Sequence, residues 1–208
     1  MPTATERFSQ VLRDRAKDFA VHLSSDDVDG LTKYYEIVMK WNPRLHLVGP
    51  CSPEEFATRH ILESLVLLKH FSPNALIADV GSGAGLPIIP CLILRADLHA
   101  TLIESSHRKA VFLNEALRQL PNPGAHRVVS ARFEDTPTVA ADFVTCRALD
   151  RFQRLLVKLI EWAPSGCTLL LFAGPALRVK IEALLPSARA ELLPDSEQRF
   201  LMIAQRDR

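Results

Sequence analysis

The chain has 208 residues and a net charge of +1, a length that suits one good-sized α/β domain with room for a small appendage. No apolar run is long enough to span a bilayer and no signal pattern opens the chain, so a cytoplasmic protein with no membrane partner is expected. Cys51, Cys91, Cys146 and Cys167 make no CxxC pair and the histidines no HExxH spacing, which argues against a metal site; the near-neutral charge gives no strongly basic nucleic-acid signature.

Residues 1–72 read as a helical extension, and 73–208 as one compact α/β unit. Segment 5–23 places Phe8, Val11, Leu12, Phe19 and Leu23 near one stripe of a single helix. Segment 29–41 does the same with Leu31, Tyr34, Tyr35, Val38 and Trp41. Two prolines and a glycine in 42–51 read as a break. A third helix opens on a capping box, with Ser52 as N-cap, Pro53 at the first helical position and Glu55 three residues after the cap.

Beyond that point short apolar runs alternate with helix-length segments. Strands are expected at 75–80, 100–104, 126–131, 142–148, 167–174, 189–193 and 199–206, with helices starting near 86, 107, 151 and 175. This alternation implies a doubly wound, mostly parallel, Rossmann-like sheet. Only five residues separate the last two runs, so an antiparallel strand is expected at the end. Ligands of such sheets bind beyond the carboxyl ends of the strands.

The first strand runs into "DVGSGAGLP", residues 79–87. Gly81, Gly83 and Gly85 form GxGxG. The dinucleotide fingerprint would place its third glycine at position 86, where Leu86 stands, and no GK[ST] follows for a phosphate loop. What remains is an acid, Asp79, at a strand end before a glycine turn that lets a ligand approach the backbone, and a helix start that favours a carboxylate. Glu104 ends the next strand, where an acid accepts hydrogen bonds from ribose hydroxyls. Glu134 follows the third. A ligand with ribose, adenine and an amino-acid end, but no phosphate, suits this set: S-adenosylmethionine. A purely structural tight turn is the alternative.

The acceptor is harder to read. The strand "DFVTCRAL" lacks the Asp/Asn-Pro-Pro-aromatic motif of adenine amino-group methylation, and no Lys/Asp/Lys/Glu set for ribose methylation can be assembled. Cys146 is preceded by Thr145 instead of the proline usual in cytosine-C5 chemistry, and reads as a small buried hydrophobe. Guanine N7 carries a free lone pair and no proton, so the missing base is consistent with it. Arg147, at a strand end, suits a bidentate contact to a carboxylate or a phosphate, or else a surface ion pair. Arg147, Arg151, Arg154 and Lys158 crowd one stretch, which reads first as a solvated helix face, with a surface for a polyanion as the weaker alternative.

"WNPRLHLVG", "RHILESLVLL", "DVGSGAGLPIIP", "TLIESSHRKAVFLNE" and "TCRAL" occur in that order. Together they resemble the glucose-inhibited division protein B family, bacterial guanine-N7 methyltransferases of 16S ribosomal RNA. The resemblance spans about residues 30 to 175. It implies a class I S-adenosylmethionine-dependent methyltransferase fold, and cofactor contacts from Gly81, Leu86, Glu104, Phe133, Glu134 and Arg147. It also implies 16S rRNA or the 30S subunit as partner. The family's Arg-His pair falls on Arg59 and His60, which with Ser64 would project toward the cofactor mouth and join Arg147 in catalysis. For His60 an interhelical hydrogen bond is the alternative. Asn42 would cap a turn or touch RNA, and Trp41 reads as core.

Three positions depart from the family. Ile88 stands where glycine is usual and would narrow the approach of the first sheet-packed helix. Ala173-Gly174 replaces lysine-glycine and loses a phosphate contact. Cys146 replaces a serine. A small-molecule or protein methyltransferase, or a cofactor-binding ribosome assembly factor, is the alternative function. A monomer is the default expectation.

Overall fold

A computed structural model of the protein describes residues 1–147 and 152–207. Arg151 and the last part of "TCRAL" lie outside the described residues. The first helix, α1 (Ala4–Arg15), is closed by a reciprocal cap: the Thr3 hydroxyl accepts from the Glu6 N–H, and the Glu6 carboxylate accepts from the Thr3 N–H. The stripe expected to reach Leu23 stops sooner. Residues Ala16–Phe19 tighten into a 3₁₀ turn that ends at Ala20 with φ of 56°, and the N–H groups of Ala20 and Val21 satisfy its carbonyls. Phe19 is therefore buried from a turn, and Leu23 lies beyond the helix.

Helix α2 (Ser25–Leu45) starts earlier and ends later than its apolar pattern, because Ser24 and Asp27 cap it in front and Pro43 sits inside its last turn. So near the end of a helix the proline removes one donor without breaking the element. His46 then takes φ of 49°, and the Asn42 side-chain oxygen accepts from the Val48 N–H at 3.0 Å, so Asn42 does hold the turn.

The third helical stretch is composite. Ser52 caps α3 (Pro53–Glu55), but the Glu55 carboxylate pairs with Arg59 instead of completing the box. A π-helical segment, Phe56–Leu62, follows, then α4 (Glu63–Leu65) and a 3₁₀ turn, Val66–Lys69. Such π segments recur at functional sites.

The sheet is built from β1 (Leu76–Val80), β2 (His99–Ile103), β3 (His126–Val129), β4 (Phe143–Cys146), β5 (Thr168–Ala173), β6 (Arg189–Leu192) and β7 (Phe200–Gln205). Their order is β3-β2-β1-β4-β5-β7-β6; β7 runs antiparallel to both β5 and β6, and the other pairings are parallel. The crossovers are α5 (Ile88–Leu94), α6 (His107–Leu117), α7 (Phe152–Trp162) and α8 (Pro175–Leu184).

Successive residues of a strand face opposite sides of the sheet, and the core divides accordingly. Ile77, Leu102, Leu170, Phe172 and Leu201 pack with the N-terminal helices, α5 and α6. Ala78, Ile103, Val144, Leu171 and Met202 pack with α7 and α8. The extension thus shares its core with one face of the sheet. Ile88 is fully buried there, so the expected narrowing is taken up as core packing. Gly30 permits α2 to approach α5: a Cβ added there would lie 2.7 Å from Ile93 Cγ2.

Candidate functional site

The parallel register sets the ends of β1, β2 and β4 side by side, Val80 opposite Ile103 and Cys146. The turn after β1 leaves with positive φ at Gly81, Gly83 and Gly85. Gly85 is demanded twice over: its φ is 85°, and a Cβ would fall 2.3 Å from Ile89 Cδ1. Four of the turn's N–H groups are already engaged. Gly81 and Ser82 donate to the Ile103 carbonyl, Gly85 to the Ser82 carbonyl, and Gly83 to Glu104 Oε2 at 2.9 Å. A phosphate cradle needs such groups free, and at Gly81, Ser82, Gly83 and Gly85 they are not.

Glu104 is mostly buried, and its other oxygen accepts from the Ser106 N–H at 2.7 Å. Asp79 is buried beneath the turn. Its Oδ1 accepts from the Thr145 hydroxyl at 2.6 Å, while Oδ2 has no partner. Burial pushes the Asp79 carboxyl up to about 7, against the lowering effect of Thr145 and Ser82. From the extension, the Tyr34 hydroxyl donates to the Ala84 carbonyl at 2.6 Å and pins the turn from outside the sheet. Leu86 is buried next to the turn. The helix start expected to follow is α5, only seven residues long.

The Phe133 ring packs edge-on against Trp162, 6.0 Å between centroids, and Glu134 beside it is half-buried.

At the end of β4, Arg147 turns toward the extension. Its Nη2 donates to Glu63 Oε2 at 3.0 Å and to the Arg59 carbonyl at 2.5 Å, Nη1 reaches Ser64 Oγ at 3.4 Å, and the guanidinium lies 4.9 Å from the Phe172 ring centre. Glu63 is 1% exposed, and its Oε1 accepts from Arg199 Nε at 2.8 Å. One buried carboxylate of the helical extension thus joins two arginines of the C-terminal third of the sequence. Arg147 is held in a mostly buried ion pair, not the surface pair weighed for it.

The Arg59 and His60 side chains diverge. Arg59 points outward to Glu55, and only its carbonyl meets Arg147. His60 lies tilted against Phe56, 5.1 Å between ring centroids, with its Nδ1 buried and unpartnered. Burial, then repulsion from Arg147 and Arg59, pulls the His60 imidazole down to about 4, so it is neutral at ordinary pH. The interhelical hydrogen bond weighed for His60 is absent among the described residues. Trp41 is only half-buried, edge-on to Phe112. Cys146 is fully buried on the α7 face of the sheet.

Sequence reasoning passed over Glu63, Arg199, Tyr34 and Thr145. For Glu63 a signal existed: it is the lone charged residue in the run 61–68, which is apolar apart from Glu63 and Ser64. Nothing local marks Arg199, whose partner lies 136 residues away.

Comparison with known proteins places this geometry. The family model described as rRNA small subunit methyltransferase G matches residues 27–199. A ribosomal RNA small subunit methyltransferase G of Xanthomonas campestris pv. campestris (strain B100) is 38% identical over 166 residues, covering 79% of this chain and 77% of that protein. Its counterpart in Nitrosomonas eutropha is 37% identical over 178 residues, 82% and 78% of the two chains. Among solved structures, an RNA methyltransferase from Salinibacter ruber in complex with S-adenosyl-L-homocysteine superposes with a TM-score of 0.54 at 14% identity, over 77% of this chain and 94% of that one.

Proposed function

The chain belongs to the rRNA small subunit methyltransferase G family, and from that premise we propose that it methylates N7 of a guanine in the 16S ribosomal RNA, with S-adenosylmethionine as donor. The observation that carries the donor is the glycine turn. The N–H groups of Gly81, Ser82, Gly83 and Gly85 are engaged within the protein, while carboxylates lie below and beside it. Such a site suits a phosphate-free nucleoside with a cationic end, and the unpartnered Asp79 Oδ2 is an acceptor left over for that cation. When bound, S-adenosylmethionine supplies a methyl group on a positively charged sulfur, so an acceptor carrying no proton needs no general base.

The chain's own residues then hold and orient. Glu104 releases the Gly83 N–H to take ribose hydroxyls, and Asp79 takes the ammonium. Gly81, Gly83, Gly85 and Leu86 shape the floor, and the Phe133-Glu134 pair borders the adenine. Arg147, fixed by Glu63 and the Arg59 carbonyl, sets a cation where the acceptor enters. Arg59 and the neutral His60 flank it. Positioning of this kind is the main contribution available to such an enzyme. No helix of the described residues is long and apolar enough to cross a membrane, and we place the protein in the cytoplasm as a monomer acting on 16S rRNA or the 30S subunit.

The test is transfer of tritiated methyl to 30S particles, and to bare 16S rRNA, from cells lacking the enzyme. Label in 16S rRNA at a position that becomes cleavable by the borohydride and aniline chemistry of 7-methylguanine is the expected result. Absence of label from both substrates overturns the reading.

A further inference from the structure

A cavity of about 740 Å³ opens at the carboxyl ends of β4 and β5, and the proposed roles of Asp79, Glu104 and the glycine turn leave it without an occupant. Its wall includes Arg147, Arg154, Arg199, Glu63, Phe172 and Gly174. Three guanidinium groups face one carboxylate, and that carboxylate is saturated by Arg147 and Arg199. The wall therefore keeps a surplus of positive charge. Arg154, exposed on the first turn of α7, has no ion pair or side-chain hydrogen bond among the described residues. The same wall is aromatic: Arg147 lies over Phe172, and Arg178 lies 4.6 Å from the ring centre of Phe200. At Gly174 an added Cβ would meet nothing within 4 Å, so this side of the cavity is open.

Resting on the RNA methyltransferase reading, we propose that this cavity receives one unstacked nucleotide of the RNA, its base against the Arg147–Phe172 layer and its phosphate on Arg154 and Arg199. Proteins that read single-stranded RNA combine these two elements: guanidinium or aromatic planes that stack a base, and arginines that neutralise its phosphate. The volume is within the range of small-ligand sites, and enzymes that modify a base draw it out of its stack. Arg147 links the two regions, because it follows β4 beside the turn and also forms part of the cavity wall. A nucleotide seated there comes to the cofactor's edge.

The closing experiment measures binding of bare 16S rRNA over a salt series for the wild type, Arg154→Gln and the double variant Arg154→Gln/Gly174→Lys. Arg154 is exposed, and the open space and ordinary backbone at Gly174 accommodate a side chain. Losing one phosphate contact should weaken binding by up to about tenfold near 0.1 M salt and flatten the log–log salt slope by about 0.7–0.9. The lysine should restore both, with cofactor affinity unchanged throughout. In parallel, benzoylphenylalanine replacing Gly174 should photocrosslink to one nucleotide of the RNA. An unchanged slope for Arg154→Gln, a loss of cofactor affinity in its place, or crosslinks scattered along the RNA overturns the cavity assignment. If the wild type methylates rRNA yet the substituted proteins give any of these results, the cavity assignment falls and the methyltransferase reading stands. If the substituted proteins show the expected binding and crosslink but the wild type transfers no methyl, the reverse holds.

Discussion

Two buried side chains at the site titrate in opposite senses. Asp79, pushed up to about 7 by burial, favours the folded state while protonated. Its contribution is full below the ordinary carboxylate range and is lost as pH rises from about 4 through 7. His60, drawn down to about 4 by burial and by Arg147, does the opposite: its contribution is present above about 6.5 and lost as pH falls toward 4. His126, also drawn down to about 4, adds to that acid-side loss. Asp79→Asn should therefore raise the melting temperature of the cofactor-free protein at pH 8 while weakening cofactor binding, and His60→Gln should flatten the acid limb. Melting curves from pH 4 to 8 and titration calorimetry check both; a pH 8 melting temperature unchanged by Asp79→Asn would contradict this account of the carboxyl. At Cys146, replacement by serine should leave methyl transfer to rRNA near the wild-type rate, with a stability cost of about 1 kcal/mol for burying the hydroxyl. Loss of transfer with the melting temperature intact would restore the nucleophilic reading.

Elements meet here through small residues whose neighbours decide what a substitution costs. Alanine for a glycine inside a helix normally stabilises by about 1 kcal/mol. At Gly30 the new methyl would press on Ile93 Cγ2, so Gly30→Ala should destabilise in the wild-type background and stabilise once Ile93 is also Ala. Denaturant midpoints of the four proteins of that cycle provide the check, and additivity would refute the contact. The order and type of the elements were legible because strand-length and helix-length periodicities alternate cleanly after residue 73. Their ends were not. Pro43 reads as a breaker but lands in a last turn, and Phe19 keeps its helical spacing although the chain has already tightened into 3₁₀. The π segment around Arg59 and His60 leaves no mark in spacing, which is why the two side chains were expected together and are found apart. The turn's residues were legible because the chemistry is local; Glu63–Arg199 was not, because it pairs chain segments that only the completed sheet brings together.

At the scale of the whole molecule, the helical extension is part of the core. Phe8, Phe56 and Leu62 share one apolar cluster with Ile77, Leu102 and Leu201. A fragment covering only 73–208 should therefore fail to fold as an independent unit. Circular dichroism and dye binding should show an expanded state with exposed apolar surface, and a cooperative melt for that fragment would restore the extension as a separable appendage. The Glu63 bridge ties the same two regions by charge. Removing that carboxylate should cost about 3–5 kcal/mol, as expected for a broken buried pair.

That bridge also has a direction in time. Glu63 is made first; Arg147 follows 84 residues later, and Arg199 follows 136 residues after Glu63. The strand beside Arg199, β7, inserts between β5 and β6. During translation Glu63 and Arg147 are therefore both made before Arg199, and the Arg199 arm of the bridge is the later one to form. A nascent chain stalled before β7 should present the helices and the parallel part of the sheet with the Glu63–Arg147 pair already possible, but with the second oxygen of Glu63 left without Arg199.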